Sequence, residues 1–215
     1  GADVPTPSLE PPLQLFDQAI IESAGGQEPS ADDTTSSTTL QRVATAARIA
    51  AYLVLTGGHA ITLQRPGWLD EATGRAVPVD AVVGGQETAG AGEFEVDKPK
   101  VLETLKTAMF VSTGTHTVSF GHASFAAVLA ARHLAEWVKE PGTTARVRQL
   151  QGLFLVSAPD DDIAAIPEHL RETAAWLLAH VPTEAGWLAE ADPESLVAHT
   201  GIITDSHIRE VIVEG

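Results

Sequence analysis

The sequence contains no cysteine and no asparagine. Without cysteine there are no disulfides, thiolate metal sites, cysteine-held iron–sulfur clusters or thiol nucleophiles. Without asparagine there is no N-glycosylation sequon. Basic residues are scarce too: 13 Lys and Arg stand against 29 Asp and Glu, for a formal net charge of −16. Such a surface repels nucleic-acid phosphates and anionic lipid. Arg42 and Arg48, like Arg146 and Arg148, are isolated pairs without interleaved aromatics, so neither nucleic acid nor membrane is an expected partner. No run approaches the about 18 apolar residues that mark a membrane span, and no positively charged, apolar leader opens the sequence, so the expected setting is cytoplasmic. Repeats with a period of about 20 to 50 residues are absent, which excludes a solenoid.

What is present is helical patterning. The longest span that reads as one packed helix is 115–140, which from His122 onward has no Gly or Pro before Pro141. Phe125, Val128, Leu129, Leu134, Trp137 and Val138 supply its bulk, and alanines its propensity and its close-approach surface. Arg132, His133, Glu136, Lys139 and Glu140 mark a solvated edge. Similar patterns give helices at 13–24, 40–55, 99–110, 145–156, 166–181 and 206–214, with two shorter pieces over 184–190 and 193–199. In the helix over 40–55, Arg42 and Arg48 fall off the apolar face. Short strands are expected at 59–63 and 76–83 around a turn over 66–74.

These elements predict an all-α fold, a single-domain multi-helix bundle with a small central β-hairpin or irregular insertion. An extended N-terminal arm covers 1–12, and one helical domain covers 13–215, with acidic flexible segments at 27–39 and 84–97. Within the second segment, GGQETAGAGEFEVD reads as a glycine-rich insertion or as a flap that opens and closes.

Candidate chemistry rests on eight histidines, at 59, 116, 122, 133, 169, 180, 199 and 207. In a chain without cysteine, a transition-metal site needs imidazole and carboxylate, which suits iron, manganese or zinc. His59, His116 and His122 are the metal-ligand candidates, and His116, His122 and His207 the catalytic ones. The glycine-bracketed stretch TGTHTVSFG over 113–121 is the part least explained by packing. Ser119 near His116 or His122 lacks a G-x-S-x-G elbow and an assignable acid. His133, beside Arg132 and Glu136, reads as a solvated histidine, and Asp205 as the cap of the last helix. The strings H-E-x-x-H, paired E-x-x-H, G-x-x-x-x-G-K and G-x-G-x-x-G are absent. Asp160, Asp161 and Asp162 read as a solvated acidic loop, and Trp68 and Trp187 as closures of the bundle ends or pocket walls.

Two functional expectations follow. One is an enzyme acting on a small, largely apolar molecule in a histidine-lined pocket between helices, by acid-base or metal-assisted redox chemistry. The other is a non-catalytic, acidic helical interaction module or an apolar-ligand-binding protein, with a homodimer formed through the alanine-rich helices as one arrangement. A concave histidine-lined pocket favours the first, and a filled core favours the second.

Overall fold

The computed structural model describes residues 12–25, 37–63, 75–140, 142–157 and 164–214. Residues 1–11 of the arm expected over 1–12, the turn with Trp68, most of the segment 27–39 and the Asp160, Asp161 and Asp162 run lie outside the described residues.

Helix α1 (Pro12–Ala24) leads to α2 (Thr39–Thr56), which Thr38 and Gln41 start with a reciprocal capping box. Strands β1 (Ala60–Thr62) and β2 (Ala76–Pro78) follow, then a 3-10 turn (Val79–Ala81) and a hairpin of β3 (Gln86–Ala89) and β4 (Gly92–Glu95). Helix α3 (Lys98–Thr104) starts with Asp97 accepting from Lys100 N at 2.9 Å and has Pro99 in its first turn. Next come β5 (Phe110–Ser112), β6 (Thr117–Phe120), α4 (Ala123–Lys139) and α5 (Thr143–Phe154). Strands β7 (Val156–Ser157) and β8 (Ala164–Ala165) pair, and a 3-10 turn (Glu168–Leu170) opens α6 (Arg171–His180). The chain continues through α7 (Pro182–Ala185), α8 (Trp187–Ala191), α9 (Pro193–Leu196), a 3-10 turn (Val197–His199) and α10 (Ser206–Glu214). Asp205 caps α10 by accepting from Ile208 N at 3.0 Å.

The all-α expectation is corrected. Of the described residues 62% are helical and 14% are strand, including a four-stranded mixed sheet, so the fold is helix-rich but mixed α/β. The sheet runs β2-β1-β6-β5. The two strands expected as a hairpin, β1 and β2, instead lie parallel, and β6 pairs antiparallel with the other side of β1. Two helix readings ran too far. The apolar stripe expected over 99–110 stays helical only to Thr104, beyond which Ala108 N donates to Ser23 O of α1 at 3.1 Å. Phe110 then pairs with Phe120 across β5 and β6, their ring centroids 4.4 Å apart. The long helix likewise starts at Ala123, because Val118 and Phe120 alternate with Thr117 and Ser119 in strand period before it. The stretch 84–97, expected to be flexible, holds the β3–β4 hairpin, with Phe94 and Val96 buried.

The core is one apolar cluster built around α4, which packs against α2 on one side and α6 on the other. Buried alanines on both facing helices, Ala46, Ala47 and Ala50 of α2 and Ala127, Ala130 and Ala131 of α4, permit close approach. Phe16 of α1 sits edge-on to Trp176 of α6 at 5.0 Å and to Phe125 of α4 at 6.3 Å. Arg42, read from the sequence as off the apolar face, is buried. Its guanidinium donates to Ala24 O at 3.1 Å, to Ser37 O at 2.7 Å and to Glu103 Oε1 at 3.1 Å, while Glu103 accepts from Ser37 N. At the far end of α4, Arg146 donates to Trp137 O at 2.7 Å and stacks over its ring, satisfying a carbonyl the helix leaves open.

Because Ala130 is fully buried between packed helices, Ala130→Leu is expected to destabilise the fold by about 2 kcal/mol in denaturant unfolding. A loss below about 0.5 kcal/mol, the range of an ordinary surface change, would contradict the packing described.

Candidate functional site

A concavity lined by two histidines lies where the end of α2, the residues before β1, the end of β6 and the beginnings of α4 and α6 meet. It is a half-open cleft of about 290 Å³, with Leu53, Val54 and Phe120 in its apolar lining and His59, Ser119, His169, Glu172 and Thr173 in its polar lining. Two glycines place it. Gly57 ends α2 in the left-handed region (φ 63°), and Gly58 N donates to Leu53 O at 2.7 Å. A Cβ on Gly58 would come within 3.0 Å of Val77 Cγ2 and 3.1 Å of Arg75 O, so a larger residue would have to push β2 back from the helix end. His59 N then donates to Arg75 O at 3.2 Å, which puts the His59 side chain at the mouth. A Cβ on Gly57 would lie 3.7 Å from Arg75 Nη1 and 3.9 Å from His169 Nε2, so both side chains reach over this turn.

The four histidines singled out from the sequence do not converge on this cleft. His59 lines it. His116 is exposed in the turn between β5 and β6, where its backbone carbonyl accepts from Leu63 N at 2.8 Å. His122 is exposed and acts as the N-cap of α4, its Nδ1 accepting from Ser124 N at 3.2 Å. His207 is exposed in the first turn of α10. Among the described residues no group of three His, Asp or Glu side chains is placed to hold a metal ion, so the iron, manganese or zinc site expected on His59, His116 and His122 gains no support. Sequence spacing missed His169, Glu172 and Thr173. They sit 110 or more positions from His59, and only the packing of α6 on α4, and of the 3-10 turn before it on α2, brings them there.

Two other histidines are held low by burial. His133, read as solvated, is three-quarters buried, and desolvation depresses its pKa against the raising influence of Glu87. His180 is depressed in the same way, with Asp17 and Arg132 acting in opposite senses. Asp192 has an opposite balance: burial pushes its carboxyl up, but hydrogen bonds from Ser195 and Ile166 hold it below the usual range. Those bonds tie the start of α9 to the end of β8.

Comparison with protein-family models, curated proteins and solved structures finds no match for this chain. Among the described residues no helix is long and apolar enough to cross a membrane.

If His122 serves α4 as a cap, His122→Ala is expected to lower stability by about 1 kcal/mol and His122→Ser or His122→Asp to restore it. Equal losses in all three variants, read by thermal unfolding, would rule out capping as its contribution.

Proposed function

We propose that the chain is a non-catalytic interaction module whose acidic surface meets a basic partner. The observation that carries this reading is the contrast between interior and surface. One continuous apolar cluster fills the inside, while His116, His122 and His207 stand exposed on separate elements. The charge is strongest in the C-terminal quarter: over 164–214 the sequence carries nine Asp and Glu against two Arg. The alanine-bearing faces of α2 and α4 are buried inside the fold, so a homodimer would have to use other surfaces. The proposed setting is the cytoplasm, where reducing conditions cost a cysteine-free chain nothing.

A second reading has one specific observation behind it. The cleft with His59, His169, Ser119 and Glu172 has an apolar lining and polar side chains suited to holding a small, largely apolar molecule or acting on it as acid or base. Its volume of about 290 Å³ is at the bottom of the range for ligand pockets, which ranks this reading below the first.

Affinity capture from source-cell extract, followed by reconstitution from purified components at low and high salt, separates the two. The interaction reading expects a saturable complex of defined stoichiometry that weakens as salt rises and survives His59→Ala with His169→Ala. Tight binding or turnover of a small molecule that is lost in the double variant would overturn it in favour of the cleft.

A further inference from the structure

The β3–β4 hairpin joins no larger sheet among the described residues, so β3 keeps a free edge. Its turn is the pair Gly90 and Ala91, with Gly90 at φ 61° and Ala89 facing Gly92 across it. Hydrogen-bonded pairs alternate from there: Ala89 with Gly92, Glu87 with Phe94, then Val96 N donating to Gly85 O at 3.1 Å. The main-chain N–H and C=O of Gln86 and Thr88 therefore point away from β4, and no described residue bonds them. An edge of this kind is a template for one more extended chain.

A half-open groove of about 650 Å³ lies along that edge: all of β3 lines it, and no residue of β4 does. Its floor is α2. Glu87 accepts from Arg48 Nη1 at 2.9 Å near the root of the ribbon, and a Cβ on Gly90 at the tip would lie 3.4 Å from Leu40 Cδ1. Strand β3 thus runs back along the helix, and Val43, Ala44 and Ala47 line the groove between these two contacts. The opposite wall is the face of α4 from Arg132 to Glu140, with Trp137 in it. That length of helix is about 12 Å and β3 is about 13 Å, the reach of one four-residue strand. Phe94 and Val96 are buried in the core, so the hairpin is a fixed wall.

The cations in this lining are engaged. Arg48 is held by Glu87 and by Val82 O, and Arg132 reaches Asp17 at 3.5 Å. Carboxylates surround them. Glu95 and Glu93, opposite Gln86 and Thr88 on the ribbon, are exposed and meet no cation among the described residues. Glu136 and Glu140 meet Lys139 and Arg146, but their side chains are 71% and 58% exposed, and exposed pairs exchange partners at little cost. A second copy of the chain would bring the same carboxylates and a further net charge of −16 to this edge, which disfavours it as the occupant.

We propose that this groove docks an extended segment of the basic partner as an added strand on β3. The alternation of a strand turns every second side chain down onto Val43, Ala44 and Ala47, where small apolar residues fit. The others turn outward, where Lys or Arg meets Glu93, Glu95, Glu136 and Glu140. This rests on the interaction reading above and gives it a site.

The test uses an end-blocked eight-residue peptide of alternating valine and lysine, with NMR of the intact chain as the readout. The expected result is saturable binding that weakens as salt rises, with exchange of the Gln86 and Thr88 amides slowed severalfold. The Glu87 and Ala89 amides, already bonded to β4, change little. Because the ladder runs through Glu87 and Ala89, Thr88→Pro removes an outward donor and keeps the pairing with β4. It is expected to weaken the peptide about tenfold or more, and a peptide with glutamate in place of lysine is expected not to bind. Binding that leaves Gln86 and Thr88 unprotected, or that survives Thr88→Pro, would overturn the groove and leave the basic-partner reading standing. Equal binding of the glutamate peptide would overturn both. No saturable binding, or protection of Gln86 and Thr88 that grows with protein concentration alone, would also overturn the proposal, the latter in favour of a second copy. If Thr88→Pro fails to fold, two peptides N-methylated on alternate residues decide on the unaltered chain: one set of methyls is expected to abolish binding, and tolerance of both sets would overturn the added strand.

Discussion

Two arginines turned inward from α2 tie the end of α1, the start of α2, α3 and the β3–β4 hairpin together. Arg42 gathers the end of α1, the entry to α2 and Glu103 of α3 around one guanidinium. Arg48, less than two turns on, gathers the turn after β2 and the β3–β4 hairpin. A buried guanidinium is expensive to leave unpaired, so each constrains several segments together where an apolar contact would constrain one. The alanine-bearing packing of α2 against α4 supplies the platform from which both act.

This division of labour bears on function. Apolar side chains and alanines are used up in stacking α2, α4 and α6, and the polar chemistry inside the molecule ties chain segments to one another. The charged residues are predominantly acidic, 29 Asp and Glu against 13 Lys and Arg, and a field of one sign bears on partner choice and association rate. In the cleft beside Gly57 and the groove beside the hairpin, polar side chains and open space coincide at elements brought together by tertiary packing.

Much of the helical framework was legible because its signals are local. Pro99 in the first turn of α3, Asp205 as the cap of α10, and the alanine-rich runs of α2 and α4 are readable within a window of a few turns. The sheet was not. Phe110 and Val111 continue an apolar stripe that begins in a helix, and what makes them strand is a neighbour, β6, that the same periodicity had absorbed into the next helix. The alternation in Thr117, Val118, Ser119 and Phe120, and that of Phe94 with Val96, were the signals that could have revealed strands. Arg42, Arg48 and His133 were misread for one reason: in a helix of mixed composition, periodicity places a charged residue at the edge of the buried face but cannot say whether an acidic partner comes from elsewhere in the chain. Of the cleft, only His59 and Ser119 stood out in the sequence, since His169, Glu172 and Thr173 arrive through the packing of α6.

The central claim, that inward arginines on α2 join otherwise separate segments into one cooperative unit, is tested most directly by site-resolved hydrogen exchange of Arg42→Met against the unaltered protein at neutral pH. The account expects amides of α1 and α3 to accelerate together while those of α4 and α6 keep the slowest rates. Acceleration confined to either helix alone, or spread uniformly over the chain, would contradict it.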